Sequence, residues 1–395
     1  MIDLSHGARE LALAERVRRF VREVVIPYET DPRVEHHGPN DDLRREMQAK
    51  AKAAGLLAFH LPEAYGGAGL SHRECATVFR EAGYSLLGAT ALNCMAPDEG
   101  NMHLLEKAGS PAQKERYLRR MASGEIRSAF FMTEPDGGAG SDPSMLATTA
   151  TRDGDGWVIN GRKYLITGAD GAGVGLVMAK TDGGATIFLV PLPHPGIQVE
   201  RVLDTIDRTM PGGHGVLTLQ DVRVTADDIL GELDQGFKYA QIRLAPARLT
   251  HCMRWWGAAK RAHDIACDYA RTRRAFGKTL IEHEGVGFML AENEIALKQA
   301  ELMIDWCAWR LDQGAPGTEE SSMAKVAVSE GLFAIADRCV QVLGGMGVTD
   351  DTPVHQIFRD LRAFRLYDGP TEVHKWSIAN RIRKREGGGV GGVSC

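Results

Sequence analysis

The chain of 395 residues is 44% hydrophobic and 25% charged, a composition that fits an ordinary globular protein and excludes a disordered or fibrous one. Its length allows two or three packed lobes around a shared interior. The 47 Lys and Arg residues against 52 Asp and Glu give a net charge of −5, without the positive excess expected of a nucleic-acid-binding protein.

The first third of the chain has the periodicity of amphipathic helices. Near the start, apolar residues repeat at three- and four-residue steps, at Leu13, Val17, Phe20, Val21 and Val24. Pro27 ends this helix, because its ring cannot continue the hydrogen-bond ladder. The same pattern predicts further helices over residues 41–54, 71–83 and 111–121.

From about residue 128 the chain changes to short β-prone runs separated by Gly, Asp and Pro. These runs cover residues 128–133, 157–159, 163–167, 175–179, 186–190 and 215–219. Asp153-Gly154-Asp155-Gly156 and Asn160-Gly161 predict turns. Strands at this spacing favour a small barrel or sandwich over alternating βα units.

Long helical patterns return in the last third, over residues 258–271, 288–311 and 322–342. The sequence therefore predicts an α+β protein. We expect an N-terminal helical domain (1–126), a central β-barrel or sandwich domain (127–233), a C-terminal helix bundle (234–386) and a flexible, glycine-rich tail (387–395).

Cysteine usage and hydrophobicity indicate the compartment. The seven cysteines are scattered and form no C-x-x-C, which argues against a disulfide framework or a zinc site and favours a reducing compartment. The N-terminus mixes charged with apolar residues, unlike a secretory signal, and no apolar run is long enough to span a bilayer. We expect a cytoplasmic protein without membrane contact; an organelle matrix stays open.

Several familiar motifs are incomplete. Phe276-Gly277-Lys278-Thr279 resembles part of a P-loop, but the required earlier glycine is Thr272. The glycines of residues 168–175 do not have dinucleotide-binding spacing, and the histidine pairs lack a helical metal-binding partner. We therefore expect no metal site.

Three other segments are more informative together. Residues 132–142 combine three glycines and one alanine with the hydroxyls of Thr133 and Ser141. Residues 269–277 combine cations with Phe-Gly, and residues 341–347 and 367–374 place glycines and an acid after a helix. Each has a structural explanation, as a surface turn, a helix C-cap or a turn residue. Each also suits ligand binding, since glycines expose backbone N–H groups and a guanidinium can bridge a pyrophosphate.

In chain order, these segments resemble the acyl-CoA dehydrogenase family. The matching motifs run through nearly the whole chain and read T-E-P…G-S-D, N-G-x-K…I-T, R-x-x-F-G, Q-x-L-G-G-x-G and a carboxylate followed by Gly. Each is weak alone, but the ordered set is highly specific. The resemblance implies a helical N-terminal domain, a central β domain and a C-terminal four-helix bundle, with FAD between the last two and across a subunit contact.

The implied reaction is FAD-dependent α,β-dehydrogenation of an acyl-CoA thioester to a trans-2-enoyl-CoA, within fatty acid and lipid metabolism. A carboxylate takes the α proton while a hydride leaves the β carbon for flavin N5. Hydrogen bonds to the thioester oxygen stabilise the developing enolate-like charge. We expect the base to be buried, with its pKa raised toward the working pH.

Position by position, the resemblance makes Asp368 the general base, with Arg248 beside it. It makes the substrate-binding residues Ser141, Arg248, Asp368 and Gly369. It implies two groups of cofactor-binding residues: Met132, Thr133, Gly140, Ser141 and Thr167 around the flavin, and Arg273, Phe276, His283, Gln341, Gly344 and Gly345 on the FAD of the neighbouring subunit.

The chain departs from the family pattern at several positions. Asp368 stands where most members have Glu, so the base is one methylene shorter, although some branches carry the same D-G-P. Ala247 stands at the other position used for a base and cannot serve, which leaves Asp368. The segment of residues 133–142 is two residues longer than usual, and Leu165 replaces a tryptophan near the flavin edge.

The resemblance also implies partners. They are an acyl-CoA substrate, an electron-transfer flavoprotein as acceptor, and a second copy of the chain in a homodimer or homotetramer, because Arg273 would act in trans. Two alternatives stay open: an acyl-CoA oxidase or hydroxyacyl-CoA-processing relative with the same flavin site, and a non-catalytic binding relative.

Overall fold

The computed structural model describes residues 5–385, so the predicted tail (387–395) lies outside the described residues. The first helix, α1, covers Ala8–Phe20 and buries Leu13, Val17 and Phe20. It continues as a π turn and then a 3-10 turn that contains Pro27. The chain therefore leaves α-helical geometry after Phe20, seven residues before Pro27.

The N-terminal part is helical, as predicted. A two-stranded ribbon and six helices follow α1: β1 (Val34–Glu35), β2 (Gly38–Pro39), α2 (Asp41–Ala53), α3 (His72–Ala82), α4 (Gly88–Ala91), α5 (Asp98–Ala108), α6 (Pro111–Gln113) and α7 (Arg119–Ala122). Ser71 caps α3, since its hydroxyl accepts from the Glu74 N–H while the Glu74 carboxylate accepts from the Ser71 N–H.

The central part is a seven-stranded, mixed sheet. Its strands are β3 (Arg127–Phe131), β4 (Thr149–Asp153), β5 (Gly156–Thr167), β6 (Ala172–Thr181), β7 (Gly184–Pro191), β8 (Ile197–Leu203) and β9 (His214–Val224). They are ordered β3-β6-β4-β5-β9-β8, with β7 on β6; β3 and β4 pair parallel to β6, and the other pairs are antiparallel. The sheet has its own core, which includes Phe131, Trp157 and Phe188.

One of the two predicted turns is wrong. Asp153 and Gly156 close the β4–β5 hairpin as expected, but Asn160-Gly161 lies inside β5, where the register with β9 shifts. Gly161 has a φ of +158°, and a Cβ there would lie 2.4 Å from the Thr148 hydroxyl. Gly161 is thus required by a β-bulge and by the close approach of the Thr148 segment. In the sequence, the same Asn-Gly pair looks like a turn.

The C-terminal part is a helix bundle, as predicted. Its elements are α8 (Gly236–Thr272), β10 (Arg274–Ala275), β11 (Lys278–Thr279), α9 (Glu284–Asp312), α10 (Thr318–Leu343), α11 (Val354–Phe364) and α12 (Thr371–Arg385). Helix α8 begins 22 residues before the predicted start and includes Pro246. Its buried face carries charged side chains as well as apolar ones, which obscured the helical pattern.

Two glycines let α8 and α3 approach closely. A Cβ on Gly83 would lie 1.9 Å from the Arg254 carbonyl oxygen, and a Cβ on Gly257 would lie 2.1 Å from the Arg80 carbonyl oxygen. Both contacts are far below van der Waals distance, so neither position accepts a side chain without a shift of backbone. This close crossing fixes the position of α8 along α3.

Polar contacts also join the N-terminal helices to the bundle. The buried guanidinium of Arg80 pairs with Asp305 and, at 3.2 Å, with Glu301. The Asp312 carboxylate at the end of α9 accepts from the backbone N–H groups of His72 (2.8 Å) and Arg73 (3.0 Å) and thus caps α3 from another domain. The helical parts share one apolar core, which also includes Leu176 of β6 and Ile187 of β7; the sheet has a second core of its own.

Within residues 5–385, every helix is too short or too polar to pass through a membrane. Over the same residues, His, Cys, Asp and Glu side chains form no group of three that could hold a metal ion.

Candidate active site

Asp368 lies in the turn between α11 and α12, at two successive residues with left-handed backbone. Its φ is +53° and that of Gly369 is +100°. A Cβ on Gly369 would lie 2.5 Å from His374 Nε2, so only glycine fits there. This reversal turns the Asp368 side chain toward α8, where it is 20% exposed.

The main chain of Asp368 is held from two sides. Its carbonyl oxygen accepts from Arg248 Nε at 2.9 Å and from His374 Nε2 at 3.1 Å. Burial, followed by the charge of Arg248, lowers the pKa of His374 to about 4, so the ring is neutral. Its Nδ1 lies 3.1 Å from the Ser322 hydroxyl, which donates to the Thr318 carbonyl at 2.8 Å. These contacts fix the backbone from which the carboxylate projects.

The carboxylate of Asp368 is ionised at neutral pH. Burial raises its pKa, but a hydrogen bond from His251 and the charges of Arg243 and Arg248 outweigh burial and hold the pKa well below its usual range. His251 Nε2 lies 3.3 Å from Asp368 Oδ2. The expected rise of this pKa is therefore wrong for this structure, because these cationic and N–H groups were not visible in the sequence motif.

A chain of hydrogen bonds links α8, α5 and β3 beside this carboxylate. Arg243 Nε donates to Asn101 Oδ1 (2.7 Å), and Asn101 Nδ2 donates to the Ser128 hydroxyl (2.9 Å). The Ser128 N–H and hydroxyl both donate to Asp98 Oδ1 at 2.6 Å. Arg243 also lies 4.3 Å from the centre of the Phe130 ring. Sequence reasoning missed these residues, which come from three distant segments.

A cavity of about 290 Å3 lies between α3, α5 and α8. Its wall includes Pro246 and Thr250 of α8. The wall is partly polar, because Glu99 accepts a hydrogen bond from the Thr250 hydroxyl at 2.8 Å and His103 lies on the same wall. The cavity can therefore take a ligand that carries both apolar and hydrogen-bonding groups.

The glycine-rich loop of residues 132–142 is anchored by a buried ion pair. Lys163 Nζ lies 2.9 Å from Glu134 Oε1, and the two side chains are 0% and 2% exposed. The Glu134 carboxylate also accepts from the backbone N–H groups of Ala139, Ala147 and Thr148, at 3.1, 2.6 and 2.9 Å. The loop is therefore rigid at its base, although it is two residues longer than the family pattern.

The loop presents its predicted ligand-binding positions at the surface. Gly140 and Ser141 are exposed, and nothing lies within 4 Å of a Cβ built on Gly140. Met132 and Thr133 are half-buried, and the Thr133 carbonyl accepts from the Tyr164 N–H at 2.9 Å. The loop thus offers an open glycine surface next to strand β5.

Thr167, at the end of β5, is oriented by a histidine that the sequence did not single out. Its hydroxyl lies 2.9 Å from His214 Nδ1, and His214 Nε2 lies 2.8 Å from Asp207 Oδ2. A carboxylate only accepts, so His214 Nε2 donates to Asp207. His214 thus joins the Thr167 hydroxyl to the Asp207 carboxylate.

The second predicted group lies at exposed ends of the bundle. Phe276, at the β10–β11 turn, is 95% exposed, and His283 Nε2 lies 3.1 Å from the Ala275 carbonyl at the base of this turn. Gln341, Gly344 and Gly345 are exposed at the end of α10, with open space beside both glycines.

The Arg273 guanidinium has no hydrogen bond or ion pair within residues 5–385. Over the same residues, no such contact joins Asp368 to any member of the second predicted group, which is Arg273, Phe276, His283, Gln341, Gly344 and Gly345. The structure thus brings Arg248, Gly369 and Asp368 together and leaves the second group apart. An unpaired guanidinium with exposed glycines suits the diphosphate of a dinucleotide.

Comparisons with protein families cover all three parts of the chain. Models described as the N-terminal, middle and C-terminal domains of acyl-CoA dehydrogenase match residues 8–125, 129–222 and 234–383. The chain is 36% identical to the "Probable acyl-CoA dehydrogenase FadE2" of Mycobacterium tuberculosis, over 98% of both chains. It is also 36% identical to "Acyl-CoA dehydrogenase family member 11" of Homo sapiens, over 92% of this chain but only 49% of that relative's length.

Solved structures have the same fold. A putative acyl-CoA dehydrogenase from Mycobacterium abscessus aligns with a TM-score of 0.90 and 37% identity, over 98% of this chain and 100% of the other. A glutaryl-CoA dehydrogenase from Mycobacterium smegmatis in complex with FADH2 aligns with a TM-score of 0.87 and 27% identity, over 96% of this chain and 95% of the other.

Proposed function

This chain belongs to the acyl-CoA dehydrogenase family, and we propose that it oxidises an acyl-CoA thioester to a trans-2-enoyl-CoA with Asp368 as the general base. One observation carries the proposal. A partly buried, ionised carboxylate sits at two successive residues with left-handed backbone, Asp368 and Gly369, beside a buried arginine.

In this proposal, Asp368 and the residues that hold it have separate roles. Asp368 accepts the α proton of the thioester, and Arg248 and His374 hold its main chain in place. The backbone N–H of Asp368 has no partner within residues 5–385 and is free to donate to the thioester oxygen. A donor at that oxygen acidifies the α C–H bond, because it stabilises the charge that develops there.

The cofactor of this proposal is FAD, which fits the open glycine surfaces, the hydroxyls of Thr133, Ser141 and Thr167, and the unpaired Arg273. When bound, FAD supplies the acceptor for the hydride of the β carbon. We assign the flavin side to residues Met132, Thr133, Gly140, Ser141 and Thr167. Arg273, Phe276, His283, Gln341, Gly344 and Gly345 would hold the diphosphate and adenine end of the cofactor of a neighbouring subunit.

A second copy of the chain is the partner that completes this site. Phe288, Ile295 and Leu302 on α9 are 64%, 60% and 44% exposed, and they are spaced by seven residues. Such spacing places three large apolar side chains on one helix face, as at a helix–helix interface. We therefore propose a homodimer or a dimer of dimers. An electron-transfer flavoprotein as acceptor and a cytoplasmic location stay predictions.

The partly polar cavity favours one second candidate, a hydroxylated acyl-CoA as substrate. The side chains of Glu99, Thr250 and His103 line the cavity wall. A purely alkyl chain would form no hydrogen bonds with these polar groups. A hydroxyl on the acyl group would find hydrogen-bond partners there. Mass spectrometry of the thioester product, from alkyl and hydroxyalkyl CoA esters offered in competition, distinguishes the two.

The test of the main proposal is Asp368→Ala, with Asp350→Ala as control, since Asp350 is an exposed aspartate of the same domain. The Asp368 variant should purify yellow but fail to bleach anaerobically with a panel of CoA esters, whereas the control should bleach normally. Full activity of Asp368→Ala would overturn the assignment of the base. Hydrogen peroxide in place of acceptor reduction would indicate an oxidase, and a colourless protein that does not respond to FAD would indicate a binding relative.

A further inference from the structure

His251 lies one helical turn after Arg248 on α8 and contacts the other end of the same aspartate. We propose that His251 is a positioning residue: it holds one carboxylate oxygen of Asp368 through an N–H group and leaves the second oxygen for the substrate's α proton. This inference rests on the proposed function of Asp368 as the base.

The hydrogen-bond partners of His251 determine its tautomer. Arg254 Nη2 lies 3.1 Å from His251 Nδ1. A guanidinium only donates, so Nδ1 must accept and carries no hydrogen. The ring hydrogen is then on Nε2, which lies 3.3 Å from Asp368 Oδ2.

The orientation of the His251 ring is also fixed. Arg254 donates to the Cys94 carbonyl at 2.9 Å and lies 3.7 Å from Glu99, so it cannot follow a rotating imidazole. The His251 ring centre lies 5.0 Å from that of Tyr367 and 6.0 Å from that of Phe364. An imidazole packed in this way presents its N–H in one direction only.

His251 acts as a neutral donor over the working pH range. Burial and the charge of Arg254 lower its pKa to about 4. The other ionisable groups that act on His251 or Asp368 come from four helices, and they are Glu99 on α5, Arg243, Arg248 and Cys252 on α8, Lys325 on α10 and His374 on α12. Lys325, whose pKa burial lowers to about 8, is the member expected to titrate just above neutrality. Measurements between pH 5 and 7.5 therefore separate His251 from this lysine.

This arrangement matters because an aspartate base is short. Its two oxygens are equivalent and exchange by rotation about one bond, so a free carboxylate would lose orientation. A donor on Oδ2 stops this rotation and also favours the ionised form. Removal of the donor should thus slow proton abstraction.

The experiment compares three variants by anaerobic stopped-flow measurement of flavin bleaching with one CoA ester between pH 5 and 7.5. His251→Phe keeps a ring against Tyr367 but removes the donor; His251→Gln keeps an N–H donor at similar reach; His251→Asn has an amide that is one methylene too short. We expect the Phe and Asn variants to bleach about 10-fold more slowly or worse throughout this pH range. The Gln variant should recover most of the rate.

Unfolding midpoints and flavin spectra of the variants serve as folding controls. A wild-type rate in His251→Phe would overturn the inference, as would a Gln variant as slow as the Phe variant. If the Phe variant does not fold, the Asn and Gln pair decides in the same way. Loss of bleaching in Asp368→Ala together with a normal His251→Phe refutes only the positioning role, whereas activity of Asp368→Ala refutes the proposed function itself.

Discussion

Replacement of Gly369 by alanine should destabilise the protein and disturb the candidate base together. At a φ of +100° an L-residue is strained by roughly 1–3 kcal/mol. The new Cβ would lie 2.5 Å from His374 Nε2 and must displace that ring, which now donates to the Asp368 carbonyl. Loss of this hydrogen bond costs about 1 kcal/mol more. We expect a total loss of about 2–4 kcal/mol in the free energy of unfolding.

Gly314→Ala is the matched control for this variant. Gly314 has a φ of +78° in the loop between α9 and α10, but nothing lies within 4 Å of its Cβ position. It should therefore lose about 1 kcal/mol from backbone strain alone, with normal flavin bleaching. Urea unfolding at one fixed protein concentration measures both variants, and stopped-flow bleaching measures the base. Equal destabilisation of the two, with bleaching intact in Gly369→Ala, would refute the assumed link between this glycine, His374 and Asp368.

Three further predictions concern the core, the pH response and assembly. Gly257→Ala should lower the free energy of unfolding by about 1–3 kcal/mol, because its Cβ would lie 2.1 Å from the Arg80 carbonyl oxygen; a urea midpoint equal to wild type would contradict this. Burial raises the pKa of Glu134, but Lys163 and hydrogen bonds lower it overall to about 2, against an ordinary value of 4.5. The pair's stabilisation should thus be full above pH 4.5 and fall as the pH drops toward 2; far-ultraviolet circular dichroism and tryptophan fluorescence check this, and Lys163→Met should change that dependence. Ile295→Asp should dissociate the assembly in sedimentation experiments, and an unchanged mass would exclude the α9 face as an interface.

The helices and strands were largely predictable because their signals are local. Apolar periodicity located α2, α3, α9 and α10 to within a few residues. The prediction failed where a residue serves a distant contact. Gly161 accommodates Thr148 instead of making a turn. The start of α8 is hidden because charged residues such as Arg243 occupy its buried face and pair with Asn101.

The candidate site was predictable in part. The order of motifs nominated Asp368 and Arg248, which the structure places in contact through the Asp368 carbonyl; their roles stay predictions. His251 had a usable signal, since it follows Arg248 by three residues and so lies on nearly the same helix face. The contact between His214 and Thr167 had no signal in the sequence, because 47 residues separate them and only the pairing of β5 with β9 brings them together.

Helix α8 runs without a break from the turn that carries Arg248 to Thr272, immediately before Arg273. At 1.5 Å per residue this stretch is a rod of about 36 Å. In the proposed dimer, Arg248 on this helix holds the base of its own subunit, while Arg273 at the end of the helix contacts the cofactor of the neighbouring subunit. A displacement at either end would be passed lengthwise to the other, so the two reaction centres of a pair would be mechanically linked through a single continuous element.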